Sequence, residues 1–198
     1  MKKRVIGIVA VAGVLALSSS ARSQDQSPFA FTQFSATMVM NIPGQEAGAA
    51  AHIYRSGDKM RTDIGKQGYF LSDLSQHVGY MVMGSAMCME VHQSDPSHPN
   101  PFEMTGKIQR SELGTDTIDG HPVKIEQITI ESDSGKTVTM KAWEATDLHG
   151  FPVRVEVPGP KGTTRMDLKD IDLSTPSASL FATPTNCREM PVMPGMPH

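Results

Sequence analysis

From residue 31 onward, apolar and polar residues alternate along most of this chain. Phe34, Ala36, Met38, Met40 and Ile42 would stand on one side of an extended backbone, with Gln33, Ser35, Thr37 and Asn41 on the other. A period of two marks a half-buried strand, and Val39 is the one apolar residue on the polar side. The same rhythm predicts strands over 49–55 and 59–64, joined through the tight turn Ser56-Gly57-Asp58, and then over 69–73, 77–83 and 87–91. In 77–83, Val78, Tyr80 and Val82 share one side while Met81 and Met83 share the other, so that strand is either covered on both faces or lines a cavity. Residues 92–106 hold three prolines and no period, which predicts a long loop. Strands resume over 114–118, 123–131, 137–145, 151–157 and 163–173, with turn residues at Asp119-Gly120, 133–136 and 158–162. Connections this short predict an antiparallel meander of ten or eleven strands. Helix is expected only as a single turn over 175–181, where Thr175 and Pro176 start it.

The start of the chain follows a different rule. Lys2, Lys3 and Arg4 precede an apolar stretch over 5–17 and a small-residue exit at 18–23, the three-part pattern of a cleavable signal peptide. Thirteen apolar residues are too few to span a bilayer core, which needs roughly 20, so the expected product is a periplasmic or secreted protein that does not span the membrane. The expected organisation is a signal peptide over 1–23, a linker over 24–30, one β domain over 31–187 and a disordered tail over 188–198, rich in Met and Pro. Cleavage would remove Lys2, Lys3, Arg4 and Arg22 and take the formal charge from −3 to −7. A field of that sign argues against nucleic acid as a partner. In an oxidising compartment Cys88 and Cys187 are expected to form a structural disulfide. They enclose a loop for which chain entropy gives about 4.7 kcal/mol of stabilisation.

Motifs with a known chemistry are absent: no G-x-S-x-G, H-E-x-x-H, phosphate-cradling glycine loop or dinucleotide fingerprint occurs. No catalytic residue and no cofactor is therefore assigned, and the chain reads as a binder rather than an enzyme. Two metal readings compete with this. His92-x2-Asp95-x2-His98 offers two imidazoles and a carboxylate, on a proline-rich loop poorly suited to holding their geometry. The 14 methionines include the pairs Met38/Met40, Met81/Met83 and Met87/Met89, and the tail string Met190, Met193 and Met196 with His198. Thioethers suit Cu(I), but methionine is also a flexible filler of cores and apolar binding surfaces. Copper(I) binding by the clustered methionines, the tail above all, is the alternative reading.

Four segments carry a resemblance. They are Tyr54-Arg55-Ser56-Gly57-Asp58-Lys59-Met60-Arg61-Thr62-Asp63, Gly114-Thr115-Asp116-Thr117-Ile118-Asp119-Gly120-His121, the Trp143 strand with Gly150-Phe151-Pro152-Val153 after it, and Ser179-Leu180-Phe181-Ala182-Thr183-Pro184. Together they resemble a family of exported bacterial proteins of unknown function, similar in fold to the outer-membrane lipoprotein carrier and receptor (LolA/LolB-like) superfamily. The resemblance implies a strongly curved antiparallel sheet, a half-open β-barrel, whose concave face takes a lipid, a lipoprotein acyl chain or another hydrophobic ligand. Phe34, Met38, Met40, Met60, Tyr80 and Met140 are the candidate groove residues. The carriers cover their groove with helices, and this chain shows no amphipathic stretch long enough to serve as such a lid. The oligomeric state is left open.

Overall fold

The structure is a computed structural model that describes residues 29–45, 48, 50–84, 87–92, 106–132, 135–185 and 187–189. The expected signal peptide over 1–23, most of the 24–30 linker, most of the proline-rich loop and the tail string Met190, Met193, Met196 and His198 lie outside the described residues.

Twelve strands form one sheet among these residues: β1 Gln33–Asn41, β2 Ala51–Ser56, β3 Lys59–Asp63, β4 Gly68–Asp73, β5 Val78–Met83, β6 Met87–His92, β7 Lys107–Ile118, β8 His121–Glu131, β9 Thr137–Ala145, β10 Phe151–Gly159, β11 Gly162–Asp172 and β12 Arg188–Glu189. Two 3-10 turns, Thr146–Leu148 and Ala178–Phe181, are the only helical elements among them. The spatial order is β12-β6-β5-β4-β3-β2-β1-β11-β10-β9-β8-β7. Strands β1 to β6 make one antiparallel meander and β7 to β11 another, as short connections dictate. The two are sewn together where β1 pairs with β11, Met38 opposite Leu168 and Met40 opposite Met166. The sheet is curved and does not close, a half-open barrel of eleven antiparallel strands. Strand β12 adds two residues parallel to β6, Arg188 opposite Met89, and the expected disulfide Cys88–Cys187 ties that edge down.

Where strands are longer than their sequence pattern implies, the cause is visible. Strand β7 starts at Lys107 rather than near 114. It is an edge strand paired only with β8, and its first half turns Ile108 and the charged Arg110 inward, so its burial leaves no apolar alternation in the sequence. Gly68 opens β4 at φ +143°, and a Cβ there would lie 1.9 Å from the Val82 carbonyl oxygen. Only glycine lets β4 and β5 approach so closely at this end.

The larger apolar cluster is centred on β1, β2, β8, β9, β10 and β11. Ile53, Ile128, Ile130, Met140, Ala142 and Phe151 are all at most 2% exposed. Phe151 meets Phe31 and Phe34 edge-on, with ring centroids 4.9 and 5.0 Å away, the geometry that the ring quadrupoles favour. Arg55, buried among them, donates from Nη1 to the Phe29 carbonyl at 3.0 Å and from Nε to the Gly57 carbonyl at 3.2 Å, which anchors the segment before β1. A smaller cluster of Ile118, Val123, Trp143, Ala145 and Val153 forms a second core. Truncating Phe151 to Ala should lower stability by about 3–5 kcal/mol, read as a drop in the denaturant midpoint with an unchanged slope; a cost under about 1 kcal/mol would mean that the three rings do not organise the core.

Candidate functional site

In an antiparallel sheet, directly opposed residues share a face, as do residues i and i+2. The register therefore traces the inner face from strand to strand. Phe34 faces Arg55, which faces Met60, which faces Ser72. Ala36 leads through Ile53, Thr62 and Phe70 to Met81 and Met89. Across the β1–β11 seam, Met40 leads through Met166 and Val155 to Ala142, and Met140 stands two residues along from Ala142. Five of the six candidate groove residues, Phe34, Met38, Met40, Met60 and Met140, thus share one face. Tyr80 does not: it opposes Leu71, which opposes Arg61 and then Tyr54, so it belongs to the outer face. There its phenol is pushed above its ordinary value by burial and by the Glu90 and Asp73 carboxylates.

The five differ in burial. Phe34, Met60 and Met140 are 2, 7 and 2% exposed and belong to the packed core, whereas Met38 and Met40 pack half-buried against it. They form a filled floor. The apolar face continues past them into β4, β5 and β6, where Phe70, Met81 and Met89 are half-buried and Met83 and Met87 are 44 and 52% exposed. Met83 is directly opposite Met87, and Met81 opposite Met89. Ile42 and Ile64, one residue beyond β1 and β3 at the same end of the sheet, are also exposed. These positions were not singled out as groove residues, although the methionine pairs at i, i+2 were their signal. What was missing was the register that puts the two pairs face to face.

On the same face, at the β7–β9 side, the apolar surface gives way to charge. Arg110 on β7 pairs through Nη1 with Glu126 on β8 and with Glu144 Oε1 on β9 at 3.1 Å, and its Nη2 reaches the same oxygen at 3.1 Å. All three side chains are under 10% exposed. Lys124 completes the set, 3.0 Å from Glu126 Oε1 and 3.0 Å from Glu112 Oε2. Burial alone would raise the Glu126 carboxyl, but hydrogen bonds from Lys124 and Arg110 outweigh it and hold the group below its ordinary value. On the outer face Asp167 is held between Arg154 at 2.6 Å and Arg165 at 2.7 Å, and Lys141 and Arg154 lie over the Trp143 ring.

A cleft of about 420 Å³ is lined by Asp119, His121, Val153, Leu168, Lys169, Asp170 and Ile171. His121 Nδ1 lies 2.8 Å from Asp147 Oδ2, the pairing that orients a general base. No Ser, Thr or Cys lines the cleft to serve as a nucleophile. Among the described residues no group of three or more His, Cys, Asp and Glu is placed to hold a metal ion. None of their helices is long and apolar enough to cross a membrane.

With this geometry the comparisons with known proteins can be read. Residues 125–187 match the family described as Domain of unknown function (DUF4412). The fold is a half-open β-barrel. Among solved structures, MucB is similar with 12% sequence identity over 83% of this chain and 62% of that chain, at a TM-score of 0.51. MucB in the complex structure of Pseudomonas aeruginosa MucA/MucB gives 13% identity, 83 and 60% coverage and the same score of 0.51. The LolA superfamily protein NE2245 from Nitrosomonas europaea covers 81% of this chain and 94% of its own at 12% identity and a TM-score of 0.38. At these identities the likeness is one of fold, and this chain spans about three-fifths of the MucB chains. No curated protein matches the sequence.

The charged cluster generates a prediction with a sign. A carboxyl held below its ordinary value stabilises the fold above the unfolded-state value, near 4.5 for Glu126, and that contribution disappears as pH falls through the folded value. Replacing Arg110 with Met leaves Glu126 and Glu144 buried without their shared cation, which should cost about 3–5 kcal/mol at neutral pH. Because Glu126 then loses part of what holds its carboxyl low and protonates more readily, the loss should shrink toward pH 4, and thermal melts of both proteins across this range provide the check. A loss that stays constant with pH would mean that Arg110 acts through packing rather than charge.

Proposed function

We propose that this protein is an exported, soluble binding protein that holds a lipid, a lipoprotein acyl chain or another apolar ligand against the inner face of its half-barrel, acting in the periplasm or as a secreted protein. The observation that carries this reading is the concentration of exposed apolar side chains at one end of the sheet. Four of the five large hydrophobic residues exposed among the described residues, Ile42, Ile64, Met83 and Met87, stand at that end, 38 to 52% exposed. They adjoin half-buried Phe70, Met81 and Met89 and, beyond them, the packed floor of Phe34, Met60 and Met140. Contiguous exposed apolar surface on a soluble domain marks a binding site, and methionine gives such a surface the adaptability to accept chains of differing shape.

In this reading the floor residues set the depth of the trough, while Met38, Met40, Phe70 and the β5–β6 methionines touch the ligand. Affinity comes from apolar burial, about 25 cal/mol per Å² before the costs of association. The signal-peptide pattern at the N-terminus supports the location. The fold likeness supports an apolar concave face without naming its ligand. Mass spectrometry of protein gently extracted from its native envelope should find a co-purifying lipid or acylated species. In vitro, a fluorescent fatty acid such as parinaric acid should bind, and the double substitution Met83→Asp with Met87→Asp should weaken binding about tenfold or more, because a carboxylate there must be desolvated. Equal binding by the two proteins would remove this end of the sheet from the function.

A further inference from the structure

The β5–β6 hairpin opposes four thioethers on one face. Met83 is directly opposite Met87 and Met81 directly opposite Met89. Opposed Cβ atoms in an antiparallel pair lie about 4.5–5.5 Å apart, and the next pair on the same face follows two residues along. Two unbranched side-chain torsions position each methionine sulfur and a third turns its methyl group, so sulfurs from opposed and successive positions can converge above the strands. The chain around them is held firmly. Gly84 donates to the Gln67 carbonyl at 3.3 Å, and the Cys88–Cys187 disulfide fixes β6 from its opposite face.

The ligand chemistry is homogeneous. Cys88 alternates to the other face and is spent in the disulfide. Glu90 shares that outer face, opposite Tyr80. The inner-face neighbours across β4 are Phe70, opposite Met81, and Gly68, opposite Met83. Arg188 of β12 is opposite Met89 on the other side of β6, and the remaining register partners present neutral sulfur and apolar surface, without carboxylate or imidazole. Hard cations such as Mg²⁺ and Ca²⁺ need oxygen ligands, and zinc prefers thiolate and imidazole. Soft, weakly hydrated monovalent ions are what thioethers select. Met83 and Met87 are 44 and 52% exposed, so an ion reaches them from solution.

We propose that Met81, Met83, Met87 and Met89 form a binding site for Cu(I), and for Ag(I) as its chemical analogue. The ion enters and leaves in the same oxidation state, so no redox partner is required. Thioethers carry no proton to lose, so affinity should be almost constant over about pH 5.5–7.5, where a histidine site would weaken as its imidazoles protonate.

The experiment uses the full processed chain, titrated anaerobically with Cu(I) in competition with bicinchoninate. One Cu(I) per chain is expected, with a sulfur-only first shell in X-ray absorption. Replacing all four methionines with Leu should reduce affinity about tenfold or more, with the far-ultraviolet circular dichroism and the thermal midpoint showing that the fold is kept. The readout is Cu(I) affinity alone, so the site stands or falls separately from the apolar-ligand reading, which the fatty-acid titration of the unsubstituted protein tests. A second variant, Met190→Leu, Met193→Leu and Met196→Leu, should keep wild-type affinity. Undiminished Cu(I) binding by the hairpin variant, loss of binding by the tail variant, or a steep fall in affinity toward pH 5.5 would each overturn the proposal.

Discussion

Everything in this fold hangs on the pairing of β1 with β11. The strands on either side of that seam are two independent meanders, each able to satisfy its own hydrogen bonds by short turns. Neither half alone offers a continuous inner surface. When Met38 meets Leu168 and Met40 meets Met166, the apolar rows of both halves become one, and Phe34 on β1 can meet Phe151 on β10 at 5.0 Å. Curvature follows from the same constraint. With no α-helix among the described residues to cover the face, its buried side chains reach low exposure because the sheet bends over them.

The inner face is finished in three ways along its width. Over the central strands β2, β1 and β10 it is packed solid, with Ile53, Phe34 and Val155 at most 3% exposed. Over β7 to β9 it ends in the Arg110, Glu126 and Glu144 group, whose members exchange water for ion pairs with one another and with Lys124. Replacing such a group with apolar residues often stabilises a protein, so its presence defines the register of three neighbouring strands more than it adds strength. Over β4 to β6 the face is left open, and what is exposed there is almost entirely sulfur and hydrocarbon. Packed floor, charged border and methionine-rich end together give the inner face a direction.

Much of this was legible along the chain. The alternation over 31–42, 49–64 and 137–145 placed strands where they occur, because one buried face imposes period two on any strand that lines it. The first half of β7 carries no such signal because one of its inward positions is the charged Arg110 rather than an apolar residue. Tyr80 was grouped with the groove residues because 77–83 is apolar on both sides, and alternation alone does not say which side faces inward. Met81 and Met83, on the other side of the same strand, are the inner pair.

The sequence by itself determined the class of structure, the position of most strands apart from the first half of β7 and the two residues of β12, and the pairing of Cys88 with Cys187, since each depends on local periodicity, turn residues or a count of two cysteines. The tertiary structure alone decided which residues meet. It set Met87 opposite Met83, gathered Arg110 with glutamates 16 and 34 residues away, and buried three of the expected groove residues as floor. The reason is physical. A strand's own residues specify that it has two faces, but only its register with neighbours determines which face turns inward and how deep each side chain lies.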